Sequence, residues 1–117
     1  MKITIKSEKL ELTPSITQYI NEKIGSLDKF VARFEHQNQA EVSVEISRAT
    51  NHHHKGEVFY AQANLSVDGT LIRAERSEED IRAAIDKVKD ILKIEIQKYK
   101  EKNEVNPDAI RKQKISD

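Results

Sequence analysis

The chain has no cysteine and only three glycines in its 117 residues. Without cysteine there is no disulfide framework, no thiolate nucleophile and no thiolate zinc site. Gly25, Gly56 and Gly69 are not spaced for a P-loop or a dinucleotide-binding turn. The serines are scattered, and none sits in a nucleophile-elbow setting. No stretch approaches the ~20 apolar residues that span a bilayer. The opening MKITIKSEKLEL lacks the longer apolar run and small-residue cleavage site of a secretory signal. Together these absences point away from an enzyme, a membrane and a small-molecule substrate or cofactor. They point toward a cytoplasmic chain that acts by binding.

An excess of one charge sign is also missing, with 20 Lys plus Arg against 20 Asp plus Glu. A nucleic-acid binder that works through bulk charge is basic overall. Composition alone therefore gives RNA binding no support. If RNA is the partner, the positive charge must be gathered onto one surface.

What is present is patterned. The length suits one domain, which at this size buries roughly two-thirds of its unfolded surface. Residues 1–6 alternate, with Ile3 and Ile5 on one side, as in a half-buried strand. Thr13 then fits an N-cap and Pro14 the first helical position. Ile16, Ile20, Ile24, Leu27, Val31 and Phe34 follow as one helical stripe, with Gly25 lowering the propensity inside it. Residues 40–47 alternate again. A polar segment, RATNHHHKGE, reads as a long loop before a strand over residues 57–67. Asp68-Gly69 is a hairpin signal, because the favoured two-residue turn needs positive φ at both positions. The returning strand covers residues 70–76. Ser77 is the expected cap of a second helix, with Asp80 three residues on. Its stripe is Ile81, Ala84, Ile85, Val88, Leu92, Ile96 and Tyr99, ending near Lys102. Residues 103–117 are polar and are expected to be a disordered tail beyond the domain of residues 1–102.

The expected fold is therefore α+β, in the order β-α-β-β-β-α. A parallel pair spans the first helix and an antiparallel meander follows. The result is a four-stranded mixed sheet with two helices on one face, leaving the other face open.

Chemistry-bearing clusters are few. The run His52, His53 and His54 draws attention as a metal ligand set. Adjacent residues of an extended chain point to opposite sides, so only His52 and His54 converge easily, and His36 is far away in sequence. No metal site is expected, and the bland reading is a polar loop. The carboxylates lie beside lysines on solvent faces and read as solvated surface.

The basic residues are more ordered. On the second helix Arg82, Lys89, Lys93 and Lys100 fall on one flank of the apolar stripe. Lys87, Lys98 and Lys102 fall on the other, with Asp86, Asp90 and Glu101 on the back. On the first helix Lys29 and Arg33 are one turn apart, and Lys23 borders the stripe. Arg48 and Lys55 belong to the polar loop, a second candidate phosphate clamp. Outward strand positions such as Glu41 and Glu45 are acidic, so the neutral total can hide a basic helical side and an acidic sheet side. From the residues alone two readings stay open. One is phosphate binding. The other is a protein-partner role, with lysines that merely snorkel over apolar surface. A histidine-bound metal enzyme is a distant third.

Three segments resemble the bacterial ribosome hibernation promoting factors, also called ribosome-associated translation inhibitors. They are ITIKSEKLELTPSITQYINEKIGSLDKF, EISRATNHHHKGEVFYAQANLSVDG and AERSEEDIRAAIDKVKDILKIEIQKYKEK. The more specific parts are the LTPSI helix start, the HKGEVF strand entry, and Glu79-Asp80 with Ala84-Ile85-Asp86. The resemblance covers residues 2–102. It implies a fold similar in topology to double-stranded RNA-binding domains. It also implies docking on the small ribosomal subunit and its ribosomal RNA, in the channel for messenger and transfer RNA, with translation blocked sterically. Carried over by position, it implies RNA contacts from Lys23, Lys29, Lys89, Lys93, Lys98 and Lys100. Arg33, Arg48, Lys55 and Arg82 join them from the residue pattern. The free protein is expected to be monomeric.

The chain also departs from the family. Ser26 stands where a lysine is common, and Ile91-Leu92-Lys93-Ile94-Glu95-Ile96 replaces a run of the type K-L-x-R-Q-L, losing two basic residues. Long members carry a further C-terminal domain that pairs ribosomes. With the sequence ending at Asp117, that route is not expected. The alternative function is a module that modulates another regulator, such as a sigma factor, without binding RNA.

Overall fold

Apolar alternation gives each strand one buried face, and strand pairing places those faces in register. In the computed structural model, which describes residues 1–35, 39–50 and 56–103, the sheet is β1 (Lys2–Glu8), β2 (Glu41–Thr50), β3 (Glu57–Val67) and β4 (Thr70–Glu78), in that spatial order. β1 and β2 are parallel, and the other pairs are antiparallel. Ile3 lies beside Val42 and Ile5 beside Val44. Val42 pairs with Leu65 and Val44 with Ala63. Leu65 pairs with Ile72 and Ala63 with Ala74. These rows form the sheet side of the core, and among the described residues no polar or charged residue is buried there. The expected α+β order, mixed sheet and single covered face are all found. His36, His52, His53, His54, Lys55 and residues 104–117 lie outside the described residues.

The tight turn at Asp68 and Gly69 has φ of 48° and 76°, as the two-residue hairpin requires. β3 has the expected bounds, whereas β2 and β4 run longer than their apolar pattern. β2 reaches Thr50, so Arg48 is a strand residue opposite Phe59 and not part of the loop. β4 reaches Glu78, so Ser77 pairs with Tyr60 and caps nothing. The cap of the last helix is Asp80, whose Oδ2 accepts from the Ala83 amide at 3.2 Å while its carbonyl accepts from Ala84. Ladder pairing with Tyr60, which also pairs with Ser47 of β2, outweighed the local preference of Ser77.

The first helical arm is not one helix. α1 (Pro14–Gly25) starts as expected, with Thr13 Oγ1 accepting from the Ile16 amide at 3.1 Å. It stops after Gly25. The Ser26 amide donates to Glu22, and its hydroxyl donates to the Lys23 carbonyl at 2.6 Å. The chain restarts as α2 (Asp28–Val31) and a 3-10 turn (Ala32–Phe34). The break keeps all six apolar positions of the stripe buried while bending the arm around the sheet edge. Two contacts hold the bend. The Met1 ammonium donates to Asp28 at 3.0 Å, with Glu35 3.5 Å away. Phe34 meets Tyr99 edge-to-face at 5.0 Å. α3 (Ile81–Asn103) packs across β3 and β4, burying Ile81, Ala84, Ile85, Val88, Leu92 and Ile96. No helix among the described residues is long and apolar enough to cross a membrane.

Candidate nucleic-acid interface

α1 and α3 both start at the sheet end where β1 and β4 finish, so they run side by side in the same direction. Their contacts keep a near-constant offset along the seam. The Arg82 guanidinium donates to Ser15 Oγ at 2.9 Å. One turn on, the Tyr19 hydroxyl donates to Asp86 Oδ1 at 2.6 Å, and the Lys23 ammonium stands 3.8 Å from the same oxygen. Further along, Lys93 reaches over the ring of Phe30.

Each aromatic of the seam carries two cations. Lys23 Nζ lies 5.5 Å and Arg82 Cζ 5.6 Å from the Tyr19 centroid. Lys29 Nζ lies 5.2 Å and Lys93 Nζ 5.4 Å from the Phe30 centroid. These contacts hold long side chains near the seam at modest cost, since each exposed cation–π contact yields roughly 0.5–1 kcal/mol. Lys89 sits on the same flank of α3, one turn before Lys93, and pairs with its neighbour Asp90 at 3.7 Å. The seam thus gathers Lys23, Lys29, Arg82, Lys89 and Lys93 into a basic row.

The other expected residues lie apart. Lys98 is on the opposite flank of α3, paired with Glu95 at 3.2 Å beside a cleft over β4 that Leu71, Arg73 and Lys102 help to line. Lys100 continues the seam flank two turns beyond Lys93. Arg33 is exposed on the 3-10 turn, four residues after Lys29. Arg48 shares the strand parity of Val42, Val44 and Ile46, which puts it on the helix side of the sheet, at the end where β4 leads into α3.

Three residues of the site were not singled out by pattern. Tyr19 and Phe30 each directly precede a buried aliphatic residue, Ile20 and Val31, and that edge position is the signal that marks them. Asp86, expected on the back of α3, instead stands one turn after Arg82 on the same flank and so enters the seam. Its hydrogen bond pushes the Tyr19 phenol up to about 12.

The open sheet face is mixed and not acidic. Glu41 and Glu45 stand beside Lys2 and Lys6 in the parallel register. Arg73 donates to Glu75 at 2.9 Å, and the Tyr60 hydroxyl also donates to that carboxylate. The Tyr60 hydrogen bond and then Arg73 hold the Glu75 carboxyl below its ordinary range. Among the described residues, the basic side of the molecule is therefore the seam, with no acidic sheet face to oppose it. Among the described residues no group of three or more His, Cys, Asp or Glu converges as a metal would require. The described site offers fixed cations and aromatic faces, which suit binding phosphates and bases.

Residues 3–104 match the family described as sigma 54 modulation protein / S30EA ribosomal protein. A ribosome hibernation promotion factor of Picosynechococcus sp. is 32% identical over 103 residues, which are 88% of this chain and 51% of that protein. A ribosome hibernation promoting factor of Klebsiella oxytoca is 29% identical over 87% of this chain and 96% of its own length. The N-terminal domain of Thermus thermophilus Protein Y superposes with a TM-score of 0.69 at 25% identity, covering 85% of this chain and 99% of that domain. The chain spans about half the length of several of these relatives, with shares of 51%, 47% and 50%. The chain belongs to the sigma 54 modulation protein / S30EA ribosomal protein family.

Proposed function

We propose that this chain is a ribosome-associated hibernation factor. In this reading it binds the small ribosomal subunit in the messenger–transfer RNA channel and stops translation by occupying that space. The observation that carries the proposal is the row of Lys23, Lys29, Arg82, Lys89 and Lys93 along the α1–α3 seam. A neutral chain that gathers five of its 20 Lys and Arg into one row has a local concentration of positive charge of the kind phosphate binding demands. The names of its relatives supply the ribosome as the RNA-bearing partner. The action is steric and involves no catalysis. A folded domain fills the channel, lysines neutralise backbone phosphates, and the cytoplasm is the compartment where that partner is found.

Co-sedimentation with isolated small subunits across a salt series tests this directly. Five neutralised phosphates correspond to a log–log salt slope of about −3.5 to −4.5. Near one-to-one binding with such a slope, lost in Lys89→Glu/Lys93→Glu, is the expected result. Absence of binding at low salt would refute the ribosome reading.

A further inference from the structure

Where α2 meets the C-terminal half of α3 the seam changes character. A cleft of about 240 Å³ opens there, lined by Phe30, Lys93, Ile94, Ile96 and Gln97. Ile94 is 56% exposed, so the core does not account for it. Beside it Lys93 and Gln97 are polar, so Ile94 supplies an apolar wall on an otherwise polar stretch of the helix. The mouth stays cationic, because the Lys29 and Lys93 ammonium groups are held 5.2 and 5.4 Å from the Phe30 centroid.

We propose that this notch receives one unstacked nucleobase of the RNA that lies along the seam, an inference that rests on the RNA-binding reading. The base lies against Phe30 and Ile94, and its phosphate takes Lys29 and Lys93. Charge complementarity selects this occupant over an apolar side chain of a ribosomal protein. A side chain would press two ammonium groups out of water with nothing to pair them, which is costly. A nucleotide brings the apolar face and the anion together. Single-stranded bases are commonly recognised by stacking on aromatic rings beside cations. Gln97, whose amide nitrogen reaches Glu101 only at 3.5 Å, can turn its amide to a base edge.

The test uses the full chain and three fluorescent RNA hairpins: fully paired, with one bulged adenosine, and with an abasic residue at the bulge. Anisotropy titrations at low salt are expected to show the bulged adenosine bound about tenfold more tightly than the abasic bulge, within the range that base–aromatic stacking supplies. Ile94→Gln, at an exposed site, is expected to bring that ratio within about twofold while leaving the paired hairpin's affinity unchanged, and Phe30→Leu is expected to lower the ratio as well. Equal binding of the bulged and abasic hairpins by the unaltered chain overturns the notch and leaves an apolar protein side chain as its occupant. A preference that survives both substitutions overturns it as well. If the paired hairpin itself is not bound, the RNA reading fails, and the notch proposal with it.

Discussion

Replacing Asp86 with Asn is expected to weaken the fold and strengthen RNA binding at the same time. The Asp86 carboxylate accepts the Tyr19 hydroxyl at 2.6 Å and holds Lys23 at 3.8 Å. A hydrogen bond to a charged group contributes roughly 1.5–3 kcal/mol when shielded. The Asp86 side chain is 44% exposed, so water competes. We therefore take about 1 kcal/mol for Tyr19→Phe and somewhat less for Asp86→Asn, which keeps an acceptor oxygen. For a chain of this size 1 kcal/mol corresponds to about 4 °C in Tm. Urea unfolding of both single variants and the double variant should give a coupling of about 0.5–1 kcal/mol.

The same substitution removes an anion from the seam and releases Lys23. RNA affinity is then expected to rise about two- to fivefold, the worth of an exposed ion pair, and the salt slope to steepen by about one. The pH dependence has a definite sign. Folding favours the protonated Tyr19 phenol, raised from 10.0 to about 12 chiefly by the Asp86 hydrogen bond. Its contribution is fully present below pH 10 and is lost as pH rises through about 12. Phenolate absorbance should show a late-titrating tyrosine that moves earlier in Asp86→Asn. Tyr60 is also raised, first by burial and then by Glu75, so the difference between the two proteins is the informative quantity. Unchanged RNA affinity and salt slope in Asp86→Asn would refute the seam as the phosphate-binding surface.

Further outcomes follow from the packing. Gly25→Ala is expected to stabilise by about 0.5–1 kcal/mol in thermal unfolding, since the added Cβ meets only Ile3 Cδ1 at an ordinary 3.8 Å. Leu92→Ala, at a fully buried site, should cost about 2–5 kcal/mol. Ile94→Ala, two residues away and 56% exposed, should stay within about 0.5 kcal/mol. A reversal of that order would show that the face of α3 buried against the sheet is misassigned.

Much of the fold was readable from local rules. Alternation at Val42, Val44 and Ile46 assigns their face without knowledge of any partner, because strand side chains have a period of two. Asp68-Gly69 announces its turn because few residue pairs accept positive φ twice in succession. The limits are equally physical. The apolar steps through Leu27, Val31 and Phe34 look alike in a straight helix and in a broken one, so the stop after Gly25 was not legible. The reach of β4 to Glu78, which moves the cap from Ser77 to Asp80, depends on a partner strand more than a dozen residues away.

The candidate site divides along the same line. By itself the sequence determined that α3 carries two basic flanks beside its buried stripe, since residue type and a 100° step decide which cations share a side. It also determined that the net charge is zero, so that any phosphate-binding surface must be local. Only the tertiary structure decided which flank lies beside α1 as the candidate site. Packing beside α1 chose the flank of Arg82, Asp86, Lys89 and Lys93 and set Tyr19 and Phe30 beneath the cations. It left Lys98 over β4. A helical projection treats both flanks alike, and the choice between them is made by contacts that span 63 to 67 residues of sequence, as between Phe30 and Lys93 or Tyr19 and Asp86.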